Sequence, residues 1–166
     1  GLVMPRDPAM YDAVLISPHY DYDRAGRPIP AAGDGAGQDL SMTVPLGLLH
    51  LAQHLHDGGL KVRVVHLPHA LYALQRMGLD VNQLPNPIEA ILQHYPARVC
   101  GIQAHFYLYC GGALQVADIY KTLFPDAVIL LGSTVGGRRA GVRRMRRNLP
   151  QRWPPVTYPC NFPPHV

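Results

Sequence analysis

The residues able to do chemistry cluster at the ends of apolar runs. Val99 to Ala104 runs into an aromatic turn (His105, Phe106, Tyr107, Tyr109) and the pair Gly111-Gly112, and Ala127 to Leu131 runs into Gly132-Ser133-Thr134. An earlier run, Tyr11 to Ser17, ends at Pro18-His19. Groups gathered at such ends point to a site before they name a ligand. Neither a paired-carboxylate nor a Ser/His/Asp arrangement is supported, because Asp21 and Asp23 stand in a loop without an organised partner. His50 and His54 lie four apart on a helical pattern with His56 nearby, a spacing able to hold zinc, but no Cys or Glu supports it. Gly111-Gly112 resembles a phosphate cradle, yet neither G-x-G-x-x-G nor G-x-x-x-x-G-K-[ST] occurs. Cys100, Cys110 and Cys160 form neither a C-x-x-C pair nor a disulfide framework, and Cys100 reads as a buried strand residue.

The elements that must position these groups follow from periodicity. Short apolar runs joined by an amphipathic helix, here Gly111 to Phe124, make a β-α-β unit of a buried parallel sheet. A first strand is expected at Tyr11–Ser17 and a helix opening at Val44-Pro45-Leu46-Gly47. That helix carries Leu48, Leu51, Ala52 and Leu55 on one stripe and stops at Gly58-Gly59. Lys61 to Leu67 alternates as an edge strand does. A helical turn is expected around 70–77, with His66 and His69 as loop residues. Asn86 then caps a short helix with Pro87 at its first position. The sum is an α/β open parallel sheet, Rossmann-like (flavodoxin-like), with helices on both faces and strand order 2-1-3-4. Ligands of such sheets sit beyond the carboxyl ends of the strands, so the turns named above share one rim. The long connection 19–43, rich in Gly, Pro, Asp and Ala, faces that rim and reads as functional or mobile.

The chain has 166 residues, 48% of them hydrophobic, which suits one domain with a real core. It carries no stretch of membrane-span length and no signal-peptide layout, and a cytoplasmic location is expected. Its net charge of +4 is uneven. Residues 1–137 hold six Arg and two Lys against all eleven acids, a balance of −3, whereas residues 138–166 hold seven Arg and no acid. The domain is therefore expected to span 1–137. The remainder reads as an Arg/Pro-rich tail, frame-shifted or disordered from about Gly136, leaving the last strand of the sheet missing. A genuine basic helix with a Pro-rich extension is the alternative, since Val142, Met145 and Leu149 share a face. With the basicity confined to the tail, no nucleic-acid partner is expected, and no membrane partner.

Taken in order, VLIS-P, VPLGLLHLAQHLHDGGLKVRVVHL, VCGIQAHFYLYCGGALQVADIYK and DAVILLGST resemble the N-terminal cobalamin (B12)-binding domain of cobalamin-dependent radical SAM proteins. The P-x-G-L-x-x-L-A-x-x-L segment common there is present as Pro45, Gly47, Leu48, Leu51, Ala52 and Leu55. The resemblance spans Tyr11 to Thr134. It implies a cobalamin held at the rim by Ser17, Pro18, His19, Leu46, Gly47, His105, Phe106, Tyr107, Gly132, Ser133 and Thr134. Gly132 would admit the nucleotide tail, the Ser133 and Thr134 hydroxyls would bind its polar groups, and the aromatic turn would wall the corrin.

Two departures sharpen this. Many cobalamin proteins have D-x-H-x-x-G after the first strand, with the His as lower cobalt ligand; here Ser17-Pro18-His19-Tyr20-Asp21 lacks both the Asp and the Gly. The resemblance then implies a base-off cofactor without a protein His ligand. The C-x-x-x-C-x-x-C motif of a radical SAM barrel is absent, so the iron-sulfur cluster and SAM would belong to a catalytic domain elsewhere in the full-length protein or in trans. The chain is not expected to be catalytic alone. The alternatives are a flavodoxin-like or nucleotide-phosphate-binding module, and a nonfunctional truncated fragment whose open sheet edge prevents stable folding.

Overall fold

The computed structural model describes residues 10–29, 44–104 and 110–132. The expected tail at 138–166 therefore lies outside the described residues, as do His105, Phe106, Tyr107, Ser133 and Thr134 of the expected site.

Among the described residues, four strands, β1 (Tyr11–Ser17), β2 (Val62–His66), β3 (Ala97–Gln103) and β4 (Val128–Gly132), form one parallel sheet in the order β2-β1-β3-β4. This is the α/β open sheet and the strand order that the apolar runs predict. β1 is central, and both of its faces are buried: Val14 and Ile16 on one, Ala13 and Leu15 on the other. β2 is an edge strand whose exposed Arg63 alternates with the buried Val65. Among the described residues, β4 pairs only with β3.

Among the described residues, four α-helices make the crossovers: α1 (Leu46–Asp57), α2 (Leu67–Arg76), α3 (Pro87–Leu92) and α4 (Cys110–Leu123). Right-handed crossovers that leave β1 and β3 in opposite directions put their helices on opposite faces. α2, α3 and α4 accordingly share the main core with Val14, Ile16, Val65, Cys100, Ile102 and Leu131. α4 presents Ala113, Val116, Ala117 and Tyr120 at helical spacing, all fully buried. The Tyr120 hydroxyl donates to the Tyr95 carbonyl at 2.7 Å, which satisfies its one polar atom.

α1 covers β1 and β2 on the other face, and none of its residues is fully buried. Leu48, Ala52 and Leu55 of its expected stripe are half-buried, but no other described helix flanks it, and Leu51 of that stripe is exposed together with Leu46 and Leu49. By register, Leu15 lies beside Val64, Gly101 and Leu130 on this same face. Beyond α1 the cover thins: Val99 and Leu130 are half-buried and Val128 is 55% exposed.

Two expectations need correction. The turn placed at 70–77 is the ten-residue helix α2, which begins one residue after β2 ends. His66 and His69 are thus not loop residues. The His66 ring caps α2, its Nδ1 accepting from the His69 N–H at 3.1 Å, and Pro68 tolerates the first turn because its N–H is not needed there. α3 is as expected, with Asn86 Oδ1 accepting from the Glu89 N–H at 3.0 Å and Pro87 next to it.

Candidate functional site

In a parallel β-α-β unit the helix runs back against its strands, so the first turns of α1 and α4 stand at the same edge of the sheet as the carboxyl ends of the strands. Neighbouring connections diverge between β1 and β3, which makes a crevice at that point. Of the residues expected at the rim, the structure places Ser17, Pro18 and His19 at the end of β1, Leu46 and Gly47 at the start of α1, and Gly132 at the end of β4. All stand on this one edge. Ser17, Pro18 and His19 are buried, whereas Leu46 and Gly47 are exposed. Among the described residues, a Cβ built on Gly47 or on Gly132 would meet nothing within 4 Å. The Gly132 carbonyl accepts from the Ala104 N–H at 2.6 Å, which ties the ends of β3 and β4 together.

Residues 18–29, after β1, are held by more contacts than their composition suggests. The Pro18-His19-Tyr20 turn lies against the first turn of α4: the Gly112 N–H donates to the Tyr20 carbonyl at 2.9 Å, and a Cβ on Gly112 would stand 2.0 Å from the His19 carbonyl oxygen. Glycine is needed here for backbone approach. The Gly111-Gly112 pair is therefore a packing device, and the Gly112 amide that would serve a phosphate is already bonded. The Gln115 side chain completes the clamp, its Oε1 accepting from the Tyr22 N–H at 2.9 Å while its Nε2 donates to the Tyr22 carbonyl. Tyr22 is buried beneath, with its hydroxyl accepting from the His19 N–H at 2.7 Å, and burial pushes its phenol well above the usual range.

Asp21 and Asp23 have organised partners after all. Asp21 Oδ1 accepts from the Tyr22 N–H at 2.9 Å. Asp23 Oδ1 accepts from the N–H groups of Ala25 and Arg27 at 2.8 and 2.9 Å, folding residues 21–29 into a tight hairpin with Gly26 at φ 73°. Arg27 reaches across to the carbonyls of Asn82 and Leu84 at 2.8 and 3.2 Å. These carboxylates are structural acceptors of main-chain N–H groups. Asp23→Ala is expected to cost about 1 kcal/mol and to speed tryptic cleavage after Arg24, read by timed digestion of the intact chain.

Sequence reasoning missed Tyr22, Gln115 and this hairpin. Asp23-Arg24-Ala25-Gly26 carried a signal, since Asp opening a turn and Gly three residues later suit a hairpin turn ending in a left-handed residue. His50 and His54 are exposed on α1, and among the described residues no group of three or more His, Cys, Asp or Glu is placed to hold a metal ion. No helix among the described residues is long and apolar enough to cross a membrane.

Comparison with known proteins finds no family model, no curated protein and no solved structure that matches the chain.

Proposed function

We propose that the chain binds a cobalamin at the carboxyl edge of its sheet and holds it for a radical SAM catalytic domain in the full-length protein or in trans. The supporting observation is the combination of a topological switch point between β1 and β3 with an incompletely covered apolar strip beside α1. Gly101, Val99 and Leu130 floor that strip, and a Cβ on Gly47 or Gly132 at its rim would meet none of the described residues. A corrinoid is a flat macrocycle with a long nucleotide tail. It needs a rim broad enough for the ring and a narrow apolar passage, free of side chains at its mouth, for the tail. These residues fit that shape.

Bound there, the cofactor would supply methyl-transfer or radical chemistry, while the chain's residues bind, orient and shield it. Leu15, Val99 and Leu130 would exclude water from the tail. Pro18 and the clamped 19–22 turn would hold one side of the rim against α4. The phosphate-ligand alternative is weakened by the engagement of the Gly112 amide with Tyr20.

Titration of the purified full chain with hydroxocobalamin, followed by absorbance, is expected to show saturable one-to-one binding. Gly132→Leu, which adds a bulky side chain at the end of β4, is expected to weaken it at least tenfold with little change in the melting temperature. A cooperatively folded chain that leaves the cobalamin spectrum unchanged would overturn the reading.

A further inference from the structure

The two edges of the sheet differ in a way that the fold alone does not require. β2 is guarded by charge: Lys61, just before it, and Arg63 within it are both exposed, and two copies of that edge would repel. β4 has no such guard. Its five residues, Val128 to Gly132, carry neither charge nor proline, and among the described residues its outer side meets no other strand. A flat apolar edge with unpaired main-chain groups is a template for another strand, and natural sheets blunt such edges with Lys, Pro or a bulge unless something covers them.

The direction of those groups follows from the pairing with β3. The Gly132 carbonyl accepts from the Ala104 N–H, so Gly132, Leu130 and Val128 turn their main-chain polar groups toward β3. Successive residues of a strand alternate, which leaves the N–H and C=O of Ile129 and Leu131 directed outward. Side chains alternate too. Val128 and Leu130 stand on the α1 face, where Leu130 is half-buried and Val128 is 55% exposed. In the sequence after Gly132, seven Arg and six Pro leave no strand pattern to extend the sheet.

We infer that the outer edge of β4 pairs antiparallel with β4 of a second copy of this chain, about a two-fold axis at Leu130, the middle residue of the strand. The edge is complementary to itself in this register. Ile129 of each copy faces Leu131 of the other, and these residues with outward groups exchange N–H···O=C bonds in both directions. Leu130 faces its own copy as the closely spaced pair without hydrogen bonds, so the two leucines meet on the α1 face. Val128 falls beside Gly132 of the second copy, which has no side chain to crowd it. No charge of β4 is brought against its like. The assembly also closes, because the joined sheet ends on both sides in β2, where Lys61 and Arg63 oppose further addition. The inference does not depend on the cobalamin reading, and the pairing supplies the cover that a lone four-stranded sheet lacks.

The test is sedimentation equilibrium of the full chain between about 1 and about 100 µM, a range that populates a dimer of micromolar affinity. A species of twice the chain mass is expected, and none larger. Leu130→Lys sets like charges directly across the axis and is expected to raise the dimer dissociation constant at least about a hundredfold, as is Leu130→Glu. Mixed in equal amounts, the two variants place Lys opposite Glu and are expected to recover a heterodimer within about tenfold of the parent affinity. A residue away from the axis does not face its own copy and gives no such rescue. Val128→Lys changes an exposed position, is expected to keep the parent melt by circular dichroism, and weakens the dimer about tenfold; it carries the test should the Leu130 variants not fold. A parent chain that stays monomeric overturns the inference. So do species that grow beyond the dimer with concentration, a dimer that Val128→Lys leaves unchanged, and folded Leu130 variants whose mixture remains monomeric.

Discussion

Gly112→Ala is expected to lower the unfolding free energy by about 3 kcal/mol and the melting temperature by about 10 °C. The added methyl would stand 2.0 Å from the His19 carbonyl and 3.0 Å from the Tyr20 carbonyl, and both are backbone atoms that no rotamer change can move. The turn after β1 must then lift from α4, which breaks the Gly112–Tyr20 bond and pulls Tyr22 away from Gln115. Alanine's better helix propensity returns about 1 kcal/mol, so the loss is a net figure. Gly47→Ala supplies the contrast. It makes the same change in the first turn of α1, where the new methyl meets none of the described residues, and stability is expected to stay level or rise by up to about 1 kcal/mol. Urea denaturation of the three proteins at neutral pH checks both. Equal midpoints for Gly112→Ala and the parent would show that the turn does not depend on this approach.

The elements legible in the sequence are those governed by one face and one period. The apolar runs at β1, β3 and β4 are bounded by Pro or Gly and marked the strands, and the alternation around Arg63 marked β2 as an edge. Asn86-Pro87 announced α3 because the cap is made by the side chain of the residue itself. α2 was foreshortened because its cap is the ring of His66, a residue that also ends a strand. The site was legible only in location. Its rim follows from topology, but the clamp joins Tyr22 to a glutamine 93 residues away, and Gln115 on a helix pattern looks like any solvated polar residue. The structural role of Asp21 and Asp23 was hidden for a similar reason, because their partners are main-chain N–H groups within the turn. A loop composition records how many polar groups are present and is silent on which of them are satisfied locally.

Stability is expected to fall by about 4 kcal/mol between pH 8 and pH 10.5, a large share of the 5–15 kcal/mol typical of a domain. Cys100, Tyr22 and Tyr120 are buried, and burial holds the thiol and both phenols well above their usual ranges; at Tyr120 the nearby Cys100 pushes the same way. In the unfolded chain each ionises at its ordinary value, near 8.5 for the thiol and near 10 for the phenols. Above those values the unfolded state has released protons that the folded state still binds. Stability is therefore fully present below the unfolded value and declines as pH rises, by up to about 1.4 kcal/mol per pH unit for each group. The thiol acts first, so the decline begins near pH 8.5 and steepens near 10. Cys100→Ala separates the contributions. It removes a fully buried side chain from the main core and is expected to cost about 1 kcal/mol at pH 7, but it deletes the earliest titration, so its curve should run flatter from pH 8.5 to 10 and approach that of the parent. Urea midpoints taken every half pH unit under reducing conditions follow both chains. Parallel curves would mean that the thiol ionises as readily in the folded protein as in the unfolded one, which a side chain sealed between β1, β4 and the helices above them does not allow.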